Sequence, residues 1–443
     1  MRSFNWRAMK TAAQGIAGLL LATAPLSAGA AGNNWMSAIS NSASLTQLSI
    51  PGSHDSCATV EPVSGTAKCQ NLNLGDQMNA GVRFLDIRCR HLNNAFVIHH
   101  GSVYQNMNFT DVLNYVASFL SSNPNECVIM SVKEEYTASG DTRTFAQTFD
   151  AYVAQNPGIW YLGSSIPTLG SVRGKIVLLR RFSGSSEGID ASNWADNTTF
   201  STGNLRVEDY YAVSDNTTKW TAITSLFNEA VSGGSGTLYM TFTSGYQSFL
   251  GVPNIPAVSN TINPNLTSYF NSHIGGRFGI IAMDFVDAAH AAQIITTDSN
   301  PIANGTYKVI NQYSAAALEV LAASTADGAT VDQWAYGNAA NQRWTFTAQG
   351  GGYYELANQN SGKALDNKGW STQNGGLVDQ WTWNGGANQI WQVLPNWDGT
   401  YRVLNKYNGL ALDVAGSSMA NGAAVDQWSY WGGGNQKWYI QAP

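Results

Sequence analysis

The sequence predicts an α/β domain followed by a smaller all-β domain built from three repeats. In the first two-thirds of the chain, apolar runs alternate with stretches of helical period, which is typical of a β/α sheet or barrel. In the last third, three units of 47 residues align without a gap and contain only short strand-like runs between turn residues. The chain of 443 residues is long enough for two or three domains.

The composition excludes several classes of protein. Hydrophobic residues make up 44% and charged residues only 12%, which is unlike a disordered chain. The 23 Lys and Arg stand against 29 Asp and Glu, a net charge of −6, and three of the cations lie within residues 1–31. The acidic remainder is not expected to bind nucleic acid, because phosphate neutralisation needs clustered cations. It also gains little from the negative potential of a lipid surface.

The N-terminus has the three parts of a secretory signal peptide. Residues 1–31 combine a basic start, an apolar run over 16–24 and the small residues Ala28-Gly29-Ala30. The apolar run is too short to span a bilayer, although an amphipathic or membrane-anchoring helix is the alternative. We therefore expect a secreted, extracellular protein.

Four cysteines follow this segment, namely Cys57, Cys69, Cys89 and Cys127. An even number in an exported chain favours disulfides, and three pairings are open. A Cys57–Cys69 bond, which would close a short loop, is our first choice. No cysteine spacing resembles a zinc site.

The C-terminal repeats each end in a Gln-x-Trp motif. Trp344, Trp391 and Trp438 are spaced 47 residues apart, and three units of this length fill residues 303–443. Each unit is too small to bury a core alone, so we expect the three to pack about a threefold axis with these tryptophans at the centre. The domains are predicted as 1–31, 32–298 and 303–443. The short segment over 296–304 favours two domains that pack together.

These motifs resemble the ricin B-type lectin family, a β-trefoil fold that binds carbohydrate. The family uses a carboxylate and a second polar residue for sugar hydroxyls, an aromatic ring for stacking, and a closing pair of amides. The resemblance implies these roles in the second repeat for Asp366, Asp379, Trp381, Asn388 and Gln389, and in the third repeat for Asp413, Asp426, Trp428, Asn435 and Gln436. The first repeat has Glu319 where the pattern has Asp, so its site is left out. The alternative is that these polar residues only fix turns.

Polar residues stand at the ends of the apolar runs in the first domain. The runs are RFLDIR at 83–88, AFVIHHG at 95–101, CVIMSVKEE at 127–135, KIVLLRRF at 175–182, LYMTFTS at 238–244 and FGIIAMDF at 278–285. In a β/α barrel such ends form the site. Two histidines and an arginine from separate ends can supply a base, an acid and a phosphate clamp, which points to phosphodiester chemistry.

These runs, with SIPGSHDS and VEDYY, resemble the bacterial phosphatidylinositol-specific phospholipase C family. Its fold is an irregular TIM-type β/α barrel. Its reaction converts phosphatidylinositol to diacylglycerol and inositol 1,2-cyclic phosphate. The resemblance implies the following roles: His54 as the base, Asp284 as its orienting carboxylate, Arg88 as the phosphate ligand, His100 as the acid, Asp55 as the carboxylate coupled to it, Asp86 in support, and Lys133, Glu135, Arg181, Asp209 and Tyr211 as inositol ligands.

Arg88 also bears on the cofactor, because members of this family without a metal have an Arg where others bind Ca²⁺. We therefore expect no cofactor and no metal. The expected partners are an inositol phospholipid at a membrane surface and glycans, and a monomer is expected. The loop at 245–257 either presents Phe249 and Leu250 to the lipid or is ordinarily packed. His99 is expected to be structural, because adjacent strand residues face opposite ways.

Three other functions stay open. The main activity could be cleavage of a glycosylated inositol lipid anchor. A Ca²⁺-dependent glycerophosphodiesterase and a non-catalytic lectin or adhesin are the other two.

Overall fold

The computed structural model describes residues 32–443 except 235, 274–275, 300–301, 351 and 397–398. The predicted signal peptide lies outside the described residues. In chain order, the first part of the chain forms β1 (Ser49–Ser53), α1 (Leu74–Ala80), β2 (Phe84–Leu92), β3 (Ala95–His100), β4 (Val103–Asn108), α2 (Phe109–Ser122), β5 (Val128–Glu134), α3 (Phe145–Val153), β6 (Trp160–Tyr161), α4 (Leu169–Val172), β7 (Ile176–Arg181), β8 (Ile189–Asp190), β9 (Thr199–Thr202), β10 (Leu205–Glu208), α5 (Asn216–Ser232), β11 (Leu238–Phe242), β12 (Gln247–Phe249), β13 (Val252–Asn254), α6 (Pro256–Ser272), β14 (Gly279–Met283) and α7 (Ala288–Ser299).

Eight of these strands form a parallel sheet in the order β6-β7-β5-β2-β1-β14-β11-β10. Strands β1, β11 and β14 are buried along their whole length, as expected for a sheet covered on both faces. Within the described residues no ladder joins β10 to β6, so the barrel is irregular and open between them. The predicted β/α barrel is confirmed, and each of the six apolar runs overlaps a strand.

Three of the helices begin at residues whose side chains accept backbone hydrogen bonds. Asn73 caps α1, Thr144 caps α3 in a capping box, and Asp215 caps α5. In α2, Val112, Val116, Phe119 and Leu120 are buried, which gives the helical spacing read from the sequence. Among the described residues, no helix is both long and apolar enough to cross a membrane.

The rest of the chain folds as a twelve-stranded antiparallel sheet. Its strands are β15 (Gly305–Asn311), β16 (Ala317–Val320), β17 (Ala329–Trp334), β18 (Arg343–Gly350), β19 (Tyr353–Asn358), β20 (Ala364–Asn367), β21 (Gly376–Trp381), β22 (Ile390–Pro395), β23 (Tyr401–Asn405), β24 (Ala411–Val414), β25 (Ala423–Trp428) and β26 (Trp438–Gln441). Strands β17, β21 and β25 each pair with the other two, which closes the threefold arrangement.

The three repeat tryptophans form the centre of this domain. Trp344, Trp391 and Trp438 are fully buried in one apolar cluster. Each indole N–H donates to a leucine carbonyl of its own repeat at 2.9–3.0 Å, the three acceptors being Leu318, Leu365 and Leu412. The buried indole nitrogens therefore all have a hydrogen-bond partner. The predicted core is confirmed. Residues from both parts of the chain, among them Arg277 and Tyr401, line a shared cavity.

The disulfide prediction is wrong. Cys57, Cys69, Cys89 and Cys127 are all free and buried. Cys57 and Cys89 pack in one apolar cluster, whereas Cys69 packs in another with Ala58 and Ile255. Cys127 lies in a third cluster, where its Sγ contacts Met36 Sδ at 3.7 Å. The even number of cysteines therefore does not indicate disulfide pairing in this chain. Cys57, Cys89 and Cys127 serve instead as small apolar side chains in these clusters.

Candidate active site

Strands β1, β2 and β14 of the parallel sheet, together with the antiparallel strand β3, bring the predicted catalytic side chains together around one pocket of about 450 Å³. His54, Arg88, His100 and Asp284 line this pocket. His54 and Asp284 directly follow β1 and β14, His100 ends β3, and Arg88 lies within β2. The predicted inositol ligands Lys133, Glu135, Arg181, Asp209 and Tyr211 line the same pocket. Asp55 and Asp86 are fully buried and do not line it, so they act on the pocket through their neighbours.

His54 is held between a carboxylate and a guanidinium. Its Nδ1 lies 2.8 Å from Asp284 Oδ1, and its Nε2 lies 2.7 Å from Arg88 Nη2. Because Arg88 can only donate, Nε2 accepts and Nδ1 carries the proton toward Asp284. The other Asp284 oxygen accepts from the Gly245 N–H at 3.1 Å. This arrangement selects the tautomer with the proton on Nδ1. Its Nε2 lone pair can then accept a proton from a substrate hydroxyl that takes the place of Arg88.

Arg88 is fixed by two buried carboxylates. Its Nε and Nη2 donate to Asp86 Oδ2 at 3.1 and 3.0 Å, and its Nη1 lies 3.6 Å from Asp55 Oδ2. Burial alone would raise the pKa of Asp86, but Arg88 and Arg181 outweigh it and hold that pKa well below its usual value. In Asp55 burial prevails, and its pKa is raised despite Arg88 and His100.

His100 is oriented by the backbone. Its Nδ1 donates to the Ala67 carbonyl at 2.7 Å, and its Nε2 faces Asp55 Oδ2 at 3.9 Å. The neighbouring His99 stacks on Tyr136 with rings 5.8 Å apart and does not line the pocket. Its expected structural role therefore agrees with its position, and the two histidines face opposite ways.

Lys133 and Glu135 also line the pocket and form an ion pair. Lys133 Nζ donates to Glu135 Oε2 at 2.9 Å, and the Gly101 N–H donates to the other oxygen at 3.0 Å. Burial raises the pKa of Glu135, but Arg88 and Lys133 bring it down to about 2. Such a carboxylate stays ionised and can accept from sugar hydroxyls.

Tyr211 and Arg181 take their positions from residues that the sequence reading missed. The Tyr211 hydroxyl donates to Asp196 at 2.7 Å, and this hydrogen bond together with burial raises the pKa of Tyr211 to about 12. The Trp194 ring centroid lies 3.7 Å from the Arg181 guanidinium carbon, and the indole N–H donates to Asp209 at 2.8 Å. Trp194 lies in a loop between β8 and β9, so no periodic sequence pattern identifies it as a site residue.

Two further unpredicted residues, Cys69 and Gln70, hold the ends of β1 and β14. The Gln70 amide donates to the carbonyls of His54 and Met283 at 2.7 and 2.8 Å, and its oxygen accepts from the Val286 N–H at 3.2 Å. The Cys69 Sγ and a carboxylate oxygen of Asp284 lie within 4.8 Å of one another. Because the sequence analysis assigned Cys69 to a disulfide, it did not predict the position of this thiol beside Asp284.

The trefoil sites differ between repeats. Asn388 donates to Asp366 at 2.8 Å, and Asn435 donates to Asp413 at 2.8 Å. In the first repeat Gln342 takes this place and donates to Glu319 at 2.7 Å. The rings of Trp334, Trp381 and Trp428 are 44–46% exposed and available for stacking.

Some of the predicted sugar ligands also brace their own turns. Gln389 accepts from the Asn384 N–H at 2.8 Å and donates to the Thr382 carbonyl at 3.1 Å. Gln436 makes the matching pair with Trp431 and Ser429. Gln389 and Gln436 therefore fix turns, which is the alternative role that the sequence analysis left open for them.

Each of these sites also holds a second carboxyl group. Asp379 faces Asp366 across strands β20 and β21, and Asp426 faces Asp413 in the same way. Burial and the neighbouring carboxyl raise the pKa of Asp379 and of Asp426 to about 7.

Two family models match the chain. "Phosphatidylinositol-specific phospholipase C, X domain" matches residues 41–182, and "Ricin-type beta-trefoil lectin domain-like" matches 293–381, 340–428 and 387–442. The 1-phosphatidylinositol phosphodiesterase of Staphylococcus aureus strain Newman is 35% identical over 277 residues, which cover 57% of this chain and 88% of that protein. The chain belongs to the phosphatidylinositol-specific phospholipase C family.

Further comparisons agree with this family. The 1-phosphatidylinositol phosphodiesterase of Listeria monocytogenes is 34% identical over 154 residues, which cover 33% of this chain and 47% of that protein. A crystal structure of Staphylococcus aureus phosphatidylinositol-specific phospholipase C that contains pentafluoro-Phe is 32% identical, with a TM-score of 0.56, and covers 61% of this chain and 98% of that one. Both resemblances found in the sequence, to the phospholipase and to the lectin, are confirmed.

Proposed function

We propose that the protein is a secreted phosphodiesterase that cleaves phosphatidylinositol to diacylglycerol and inositol 1,2-cyclic phosphate. The observation that carries the proposal is the pair of histidines across one arginine. His54 Nε2 lies 2.7 Å from Arg88, and Asp55 lies between Arg88 and His100 at 3.6 and 3.9 Å. The family of the chain and the name of its Staphylococcus aureus relative support the substrate class.

The reaction is an attack within the substrate. The inositol 2-hydroxyl gives its proton to His54 Nε2, and its oxygen bonds to phosphorus. Arg88 neutralises the charge that develops on the phosphate oxygens. The bond from phosphorus to the glycerol oxygen breaks as His100 protonates that oxygen. Because the nucleophile and phosphorus belong to one molecule, little translational entropy is lost at this step.

Arg88 supplies the positive charge that a Ca²⁺ ion would otherwise supply. Asp86, the carboxylate closest to Arg88, already accepts from this guanidinium at 3.0 Å. This supports the metal-independent reading over the Ca²⁺-dependent glycerophosphodiesterase.

The mouth of the pocket includes residues of the 245–257 loop. Tyr246, Pro253 and Ile255 line the pocket, while Leu250 is 88% exposed and Val252 is 52% exposed in the same loop. An exposed apolar pair beside the entrance fits a contact with the lipid surface that supplies the substrate. We propose that the trefoil adds attachment to glycans, so that two weak contacts raise the residence of the enzyme at a cell surface.

The experiment measures diacylglycerol released from detergent micelles that contain phosphatidylinositol or, separately, phosphatidylcholine. We expect release from phosphatidylinositol only. Equal release from both lipids, or none from either, would overturn the assignment. A glycan array of the wild type beside Trp381→Ala and Trp428→Ala tests the trefoil, and binding that both variants retain unchanged would contradict the proposed sugar sites.

A further inference from the structure

The thiol of Cys69 lies between the base and the acid of the active site. One ligand atom each from Asp55, Cys69 and His100 lie within 4.8 Å of one another, and the same sulfur forms a second such group with His54 and Asp284. Cys69 is therefore not an isolated cysteine, because a carboxylate and an imidazole face it on each side.

The acid side is the one with unsatisfied ligand atoms. Asp55 is fully buried, and neither of its carboxylate oxygens has a hydrogen-bond partner among the described residues. Its nearest cation is Arg88, whose Nη1 lies 3.6 Å away, outside hydrogen-bonding distance. On the base side, by contrast, Asp284 is already bonded to His54 and to Gly245.

His100 is oriented as a metal ligand would be. Its Nδ1–H donates to the Ala67 carbonyl at 2.7 Å, which leaves the Nε2 lone pair facing Asp55 Oδ2 at 3.9 Å. Metal-binding histidines are commonly fixed in this way by a backbone carbonyl on the other nitrogen. A gap of 3.9 Å is too long for a hydrogen bond, and a cation with bonds of about 2.0 Å to each atom fits between them after a small closure.

We propose that Asp55, Cys69 and His100 form an inhibitory site for a thiophilic divalent cation of the zinc class. The cation forms bonds to Sγ, Nε2 and a carboxylate oxygen, the thiol proton leaves to solvent, and water completes the tetrahedral set. The bond to Nε2 occupies the lone pair that carries the proton for the leaving glycerol oxygen. The cation is thus an inhibitor and not a cofactor.

The sulfur decides which cations bind. Arg88 competes for Asp55, so carboxylate and imidazole alone hold a dication weakly. Thiolate prefers zinc, cadmium and cobalt over calcium and magnesium. Inhibition by the first group without inhibition by the second would therefore separate this site from a phosphate-side calcium site.

Binding is tested on the full-length protein with Co²⁺, independently of turnover. We expect a thiolate-to-cobalt charge-transfer band in the wild type and in Cys127→Ala, and no band in Cys69→Ala. Cys127 is the matched control because it is equally buried but contacts Met36. Absence of the band in the wild type at saturating Co²⁺, or its persistence in Cys69→Ala, overturns the proposal whether or not a variant is destabilised.

Inhibition is then measured as the free Zn²⁺ concentration that halves each protein's own rate. We expect this concentration to rise at least about 10-fold in Cys69→Ala and to stay within about 2-fold in Cys127→Ala. An equal Zn²⁺ response in all three proteins contradicts the site. This second readout rests on the proposed function, whereas the cobalt band does not. A cobalt band in a protein that cleaves no lipid would therefore refute the proposed function and support the metal site.

Discussion

The substitution Asp284→Asn tests the orientation of the proposed base. The carboxylate is 1% exposed, accepts from His54 Nδ1 at 2.8 Å and accepts from the Gly245 N–H at 3.1 Å. The amide keeps the shape but removes the charge that stabilises the imidazolium formed during the attack. A hydrogen bond to a charged group contributes about 1.5–3 kcal/mol, which corresponds to a loss of about 10- to 150-fold in kcat.

The chain offers a matched control three residues away. Asp287 Oδ1 contacts His290 Nδ1 at 2.9 Å, and neither residue lines the active pocket. Asp287→Asn therefore removes the same kind of pair without touching the reaction. Initial rates on phosphatidylinositol micelles at saturating substrate are compared for both variants. A rate for Asp284→Asn within about 3-fold of the wild type, or an equal loss in Asp287→Asn, would refute the role assigned to Asp284.

Three further predictions address the acid, the headgroup and the trefoil. His100→Ala is expected to lose about 10²–10⁴ in kcat on phosphatidylinositol but far less on an inositol phosphate ester with a nitrophenolate leaving group, measured by release of the chromophore; equal losses would exclude an acid. Trp194→Phe removes the hydrogen bond to Asp209 and should raise KM about 5- to 10-fold with kcat nearly constant in steady-state kinetics, and a fall in kcat alone would count against headgroup binding. The pKa of Asp379 is raised to about 7, so its contribution to stability is present below the pKa of an unfolded Asp and is lost as the pH rises through about 7. Calorimetry should show the trefoil melting about 2–4 °C lower at pH 8 than at pH 5, with a smaller difference in Asp379→Asn, and a pH-independent transition would contradict this.

The sequence was informative where residue spacing dictates geometry. Parallel strands end at one edge of a sheet, so the polar residues that follow β1 and β14 meet in one pocket with Arg88 of β2. His100 reaches the same pocket from β3, which runs antiparallel to β2, so its position does not follow from the parallel-strand rule. The 47-residue period likewise placed Trp344 and its two counterparts in a shared core, since identical units related by a threefold axis bury the same position.

The site residues that could not be predicted from the sequence are positioned by loops and by long-range contacts. Trp194 and Gln70 reach the site from segments without a periodic pattern, so their hydrogen bonds to Asp209 and to the His54 carbonyl follow only from the folded chain. Cysteine count suggested disulfides, but pairing needs Sγ atoms brought together by the tertiary structure, and Cys69 instead faces Asp284.

The proposed mechanism is tested by phosphorus NMR of the full-length protein acting on phosphatidylinositol micelles in excess EDTA, with His54→Ala in parallel. We expect an inositol 1,2-cyclic phosphate signal in the wild type and no signal in the variant. A cyclic product formed equally by His54→Ala would contradict the assignment of the base, and turnover that appears only after Ca²⁺ is added would contradict the role of Arg88.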